Sequence, residues 1–313
     1  MDGLPSVSAF LTPFIQTIAF GAVLYGASVV QAYYYMMNWD RDPVWMRYFV
    51  GIIIILETVG SACQFSSLNT YTVGVLNNPA SILELDWTIC AAPILINMVQ
   101  VLVASFYIGR MWLYTKNIIL ASFTACLVLG RTISFAYAQH GICASRTWHE
   151  VRYSHNIRVP SILAMIFAPV SDGLIALTMV VYLFHSYTKV RRTRQVITWL
   201  VILTINTGVI LVAAGICTLI LYMKMPESLA YAGTLALSGK LYANSLLAML
   251  NGRHALRSKL DDPVSLNSTS LYTSSLGFSR NVQTIPQPVR VHISREMYDN
   301  VIDIRTDMNQ IKE

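Results

Sequence analysis

Apolar residues fall in long, nearly charge-free runs. Seven stand out, near 14–37, 48–68, 87–109, 117–138, 160–185, 196–222 and 229–250. Each reaches about the 20 residues that an α-helix needs to cross a bilayer core. The pattern predicts an all-α integral membrane protein, a seven-transmembrane-helix bundle. The first run is too long for a signal-peptide core and lacks a basic start, so it is expected to stay as an anchor. The expected organisation is a short extracellular N-terminus over 1–13, a transmembrane domain over 14–259 and a flexible cytosolic tail over 260–313.

Composition sharpens this. The 313 residues are 55% hydrophobic and only 12% charged, with a mean hydropathy of +0.52. A soluble domain carries about twice that charge. The lipid bilayer is therefore the expected partner, and the excess of +6 signals topology rather than nucleic-acid binding. Arg41, Arg47, Arg110, Lys116, Lys189, Arg191, Arg192, Arg194, Arg253, Arg257 and Lys259 fall on one side; Arg146, Arg152, Arg158 and Lys224 fall on the other. The richer side belongs in the cytosol, which puts the N-terminus outside and the C-terminus inside, in the plasma membrane by expectation. Tyr33, Tyr34, Tyr35, Trp39, Trp112, Tyr114 and Trp199 cluster at span ends, as interfacial anchors do.

Beyond Lys259 the chain changes character. "SLNSTSLYTSSLGFS" is rich in Ser and Thr and predicts a disordered segment open to phosphorylation. Val289, Val291 and Ile293 alternate in a short strand-like pattern. The one N-x-S/T sequon, at Asn267, is expected on the cytosolic side and so without glycan.

Four ionisable residues sit deep within the runs: Glu57, Arg131, Asp172 and Lys240. At about 1.5 Å per residue, Glu57 and Lys240 are each roughly 15 Å from the cytosolic boundary, and Arg131 and Asp172 roughly 20 Å. Two depth-matched pairs of opposite sign result, Glu57 with Lys240 and Arg131 with Asp172. Gln100, Asn206 and Asn244 lie near the level of the first pair. Intramembrane polar residues face a bundle interior or a wet cavity, so Glu57, Gln100, Asn206, Lys240 and Asn244 form a candidate ligand or ion layer. The alternative is an ion-pair and amide network that fixes helix positions. Pro169 and Gly173 flank Asp172 and mark a candidate kink.

Other chemistries fit poorly. A retinal protein needs a lysine on span seven, but Ala236 stands one turn before Lys240, and Trp87 and Trp199 fall near opposite membrane faces. No histidine lies deep in a span, so no metal or hydrolase centre, no cofactor and no enzymatic activity are expected. His140, Cys143, His149, Glu150 and His155 cluster outside the spans at irregular spacing, the pattern of a solvated loop. Cys90 and Cys143 are candidates for a disulfide between span three and the loop after span four; two free thiols are the alternative. The end of span three reads "YIGRMW" and span seven holds no N-P-x-x-Y, so the rhodopsin-like receptors are not supported.

Several stretches together resemble a known family. They are "VQAYYYMMNWDRD", "VQVLVASFYIGRMW", "SDGLIALTMVVYLFHSYTKVRRT", "LTINTGVILVAAGICTLILYM" and "LSGKLYANSLLAMLNGR". In this order they are similar to an uncharacterised family of seven-helix membrane proteins from mushroom-forming fungi, a domain of unknown function. The resemblance implies fold, topology and fungal origin, and supplies no activity. Seven spans, a basic segment at 187–195 and a Ser/Thr-rich tail favour a receptor-like or sensory protein with a cytosolic signalling partner. A transporter or proton-coupled carrier is the alternative, weakened by the absence of an internal repeat. A structural cell-surface protein is the third reading.

Overall fold

A computed structural model describes residues 7–38, 42–74, 85–185, 191–225 and 228–261. The chain divides into two units, Met1–Asp262 and Pro263–Glu313. The second unit, with Asn267 and the 289–293 pattern, lies outside the described residues.

The first unit is built of α1 (Val7–Met37), α2 (Val44–Asn69), α3 (Trp87–Thr115), α4 (Ile118–Ala144), α5 (His155–His185), α6 (Arg191–Lys224) and α7 (Ala230–Asp261). One π turn, Thr70–Gly74, ends α2, and a six-residue helix, Trp148–Tyr153, joins α4 to α5. Helices α1 to α6 are long and apolar enough to cross a membrane. They leave large apolar side chains uncovered, among them Phe20, Val23 and Ile119, as a lipid-facing surface requires.

Helix α7 is equally long but more polar, and its position explains why. No residue from Ser228 to Gly252 is exposed, because α7 packs against α1, α2, α3 and α6. A helix walled in by protein has no lipid to satisfy. It can carry Lys240, Asn244 and Asn251 as long as each finds a partner. Asn244 Nδ2 donates to the Leu24 carbonyl at 2.9 Å and Asn251 Nδ2 to the Gln31 carbonyl at 2.7 Å. Both acceptors and donors are seven residues apart, so α1 and α7 run parallel in one register. Close packing also needs small residues. A Cβ at Gly239 would come within 2.9 Å of Ile96 on α3, and one at Gly233 would overlap the Thr17 side chain on α1.

Local chemistry fixes the helix ends. Asp86 caps α3 by accepting from Thr88 N at 3.3 Å and from the Thr88 hydroxyl. Asn117 caps α4 by accepting from Ile119 N and Leu120 N. The two helices are joined tightly because Lys116 turns the chain in the left-handed region at φ 53°. Two apolar clusters lie at opposite ends of the bundle. One, with Phe14, Ile18, Tyr71 and Leu229, is at the end where α1 begins. The larger, with Ile53, Val103, Leu246 and Leu250, fills the other half.

Several boundaries differ from expectation. Helix α1 starts at Val7, so residues 7–13 are helical. Arg191, Arg192 and Arg194 stand at the start of α6 rather than in a loop, and α7 continues through Arg253, Arg257 and Lys259; the side chains of these six lie outside the description. Tyr35 is no interfacial anchor. It is fully buried, with its hydroxyl donating to Asp42 at 2.9 Å. Its neighbours Tyr33 and Tyr34, and Trp112, are exposed. Trp39 and the Trp199 side chain lie outside the described residues.

Candidate functional site

Two faces of α7 carry two different polar assemblies. Lys240 and Tyr242 are two residues apart, which turns them roughly 200° from each other around the helix.

On the α1–α2 side, Lys240 Nζ lies 2.7 Å from Glu57 Oε2, and both side chains are 2% exposed. The contact is an ion pair rather than a well-angled hydrogen bond. The ammonium also donates to Ser61 Oγ at 2.5 Å and to the Glu57 carbonyl at 3.3 Å, and stands 5.4 Å from the centre of the Tyr25 ring. Ser61 is one turn beyond Glu57 on the same face, so a single helix supplies the carboxylate, the hydroxyl and the carbonyl. The hydroxyl and the carbonyl take two of the three ammonium protons, and the carboxylate faces the charge. Asn244, one turn on, bonds the Lys240 carbonyl and α1.

On the opposite side, Arg131 of α4 and Asp172 of α5 meet through Tyr242. Arg131 Nη1 donates to the Tyr242 hydroxyl at 3.1 Å, and that hydroxyl donates to Asp172 Oδ2. The direct Arg131–Asp172 approach is 4.0 Å, too long for a hydrogen bond. The guanidinium also lies 5.8 Å from the Tyr242 ring centre. Among the described residues Arg131 Nε and Nη2 have no partner, although the side chain is 3% exposed. An unmet buried donor costs about 1–3 kcal/mol, so this end of the site is polar and unsatisfied.

Arg131, Asp172 and Tyr242 close one end of a cavity of about 100 Å³ among α3 to α7. Gln100 joins them there, its Nε2 donating to Ser238 Oγ at 2.8 Å. The walls are largely apolar, with Phe135, Met165, Leu211 and Leu235. The other end reaches Val151, Tyr222 and Tyr231, near the 144–155 connection. These last three also line a neighbouring cavity of about 190 Å³, which carries Arg152 and Arg158. Neither Glu57 nor Lys240 lines either cavity.

The expected polar layer is therefore divided. Glu57, Lys240 and Asn244 form a closed network on the α1–α2 side, while Gln100 belongs to the cavity. Asn206 is in α6 with its side chain outside the description. The charge pair beside open space is Arg131–Asp172, which the sequence offered only as a second pair. Tyr242 and Ser238 were missed. From the cytosolic end Tyr242 is shallower than Arg131, but helical side chains lean toward their own N-terminus. A tyrosine is long enough for that lean to lift its hydroxyl to the Arg131 level.

Near Asp172, α5 continues as α-helix through Pro169. Gly215 of α6 lies under the proline ring, where an added Cβ would come within 3.2 Å. The Cys90 and Cys143 thiols are free, and Gln139 Nε2 reaches toward both, bonding the Cys90 carbonyl at 3.1 Å and the Cys143 sulfur at 3.9 Å. In the 144–155 connection, Glu150 Oε2 accepts from Arg146 N at 2.8 Å. His140 and His155 are exposed, and the His149 side chain lies outside the description. Among the described residues no three His, Cys, Asp or Glu side chains converge on a point where a metal could sit.

No curated protein and no solved structure matches the chain. Residues 168–255, which carry Asp172, Ser238, Lys240, Tyr242 and Asn244, match the family of unknown function DUF6534.

Proposed function

We propose that this is a receptor-like membrane protein of seven spans, with its N-terminus outside, that takes a small ligand in the α3–α7 cavity. The observation that carries the reading is the unequal filling of the bundle. The half toward the 144–155 connection holds a cavity that ends on a buried, incompletely paired arginine. The other half is filled by the larger apolar cluster. A pocket closed below and reached from one end suits a sensor better than a carrier, which must open to both sides. The positive-inside distribution places that end outside the cell. Helix α7 then serves as the seventh span, made polar by its central position. The match over 168–255 fits the resemblance to the fungal seven-helix family. Residues 187–195 and the Ser/Thr-rich tail remain the proposed contact for a cytosolic partner.

Side-specific labelling tests this. In a cysteine-free background, Ser161→Cys and Tyr231→Cys, both facing the cavity, should react with a membrane-impermeant thiol reagent from the extracellular side alone. Val103→Cys should stay unreactive from either side. Reaction of Ser161→Cys from both sides would replace the receptor reading with a carrier. Stimulus-dependent phosphorylation of the tail would be the downstream readout.

A further inference from the structure

We infer that the cavity ligand is a small monocarboxylate with an apolar body, seated with its carboxylate on Arg131; this rests on the ligand-binding reading above. The first observation is which donors are unused. Nη1 is engaged with Tyr242, while Nε and Nη2 have no partner among the described residues. Those two nitrogens form one edge of the guanidinium, the edge that meets both oxygens of a carboxylate side by side. A lone hydroxyl or carbonyl oxygen would leave one of them unmet.

The second observation is charge. Arg131 and Asp172 balance each other at the closed end. Arg158 lines the adjoining cavity, and no acidic side chain is among that cavity's described lining residues. The approach to Arg131 is therefore flanked by a cation. An anion is drawn in and a cation repelled. The third observation is the wall between these ends. It is mostly apolar, with Phe135, Met165, Leu211 and Leu235; Ser161 and Thr218 also line it, but their hydroxyl protons are engaged with the Ile157 and Ala214 carbonyls, so the body of the ligand is largely apolar. Because Arg158 stands at the end nearest the connection, the ligand enters from water.

The test is equilibrium dialysis of radiolabelled hexanoate against the full chain in nanodiscs, with empty nanodiscs as the blank. Hexanol and hexylamine serve as neutral and cationic counterparts. Hexanoate should bind saturably at one per chain, and at least roughly tenfold more tightly than hexanol. Arg131→Gln should weaken it roughly tenfold to a hundredfold. Arg131→Lys keeps the buried charge but lacks the two-nitrogen edge, so it should weaken hexanoate even where the Gln variant fails to fold. Phe135→Trp, which fills the cavity, should abolish binding with Arg131 intact.

If hexanol binds as well as hexanoate, and both Arg131 variants bind hexanoate normally while Phe135→Trp does not, the carboxylate seat is wrong and the cavity reading survives. If no member of the series binds above the blank, both fall. Palmitate supplied in the nanodisc lipid should not compete; displacement of hexanoate by it would overturn the aqueous route.

Discussion

Removing one partner of the Glu57–Lys240 pair should damage the protein far more than removing both. At 2.7 Å, two unit charges attract by about 6 kcal/mol at an effective dielectric near 20. Burying them costs a similar amount, so the intact pair contributes little net stability. Lys240→Met deletes the attraction and leaves the desolvation of Glu57 in place; Glu57→Gln does the same to Lys240, which keeps only Ser61, a carbonyl and the Tyr25 ring. Each single variant should lose about 3–5 kcal/mol. The double variant should return to within about 1–2 kcal/mol of the parent, a coupling of roughly 4 kcal/mol or more. Equilibrium unfolding from bicelles into denaturing detergent measures all four proteins on one scale. If the two single losses simply add to within about 0.5 kcal/mol, the pair is not the interaction described here. The double variant should also bind cavity ligands as the parent does, since neither residue lines the cavity.

Three further outcomes follow from the same geometry. Tyr242→Phe removes the hydroxyl between Arg131 and Asp172 and should cost about 2–3 kcal/mol in the same assay, being bonded to two charged groups. Asn244→Ala and Asn251→Ala each release one α1 carbonyl; each should cost about 1 kcal/mol and raise hydrogen exchange in α1. Mild copper-catalysed oxidation should join Cys90 to Cys143, both reached by Gln139 Nε2, seen by mass spectrometry as a linked peptide pair that Cys90→Ala abolishes; slow or absent linkage would mean the backbones cannot reach disulfide geometry.

What the sequence made legible was whatever lipid dictates. Runs facing acyl chains must be apolar, and the six helices that meet the length and hydropathy measures are those lipid-facing runs. The run at 229–250 was read as a span like the others, but helix α7 is not among those six; its neighbours are protein, so it can be more polar. Depth counting put Glu57 level with Lys240 and Arg131 level with Asp172, since a helix converts residue number into height with little error. Height says nothing about azimuth. Gln100 and Lys240 share a level yet belong to different assemblies on different faces of α7. The cavity left no mark because empty space between five helices is not encoded in any one of them. Tyr242 went unnoticed because a tyrosine within a span looks like packing until its hydroxyl is located.

The asparagine bonds from α7 to α1 have a consequence for synthesis. Of the helices described, the earliest to leave the ribosome is held by the latest. Until residue 251 has emerged, the carbonyls of Leu24 and Gln31 lack these donors and Glu57 stands in the membrane without its cation. The bundle is thus closed like a ring whose clasp is made at the end. Chains truncated ahead of α7 should be retained and degraded as integral but unsealed intermediates. Supplying α7 as a separate segment should rescue them, because what they lack is a surface and a charge rather than a connection.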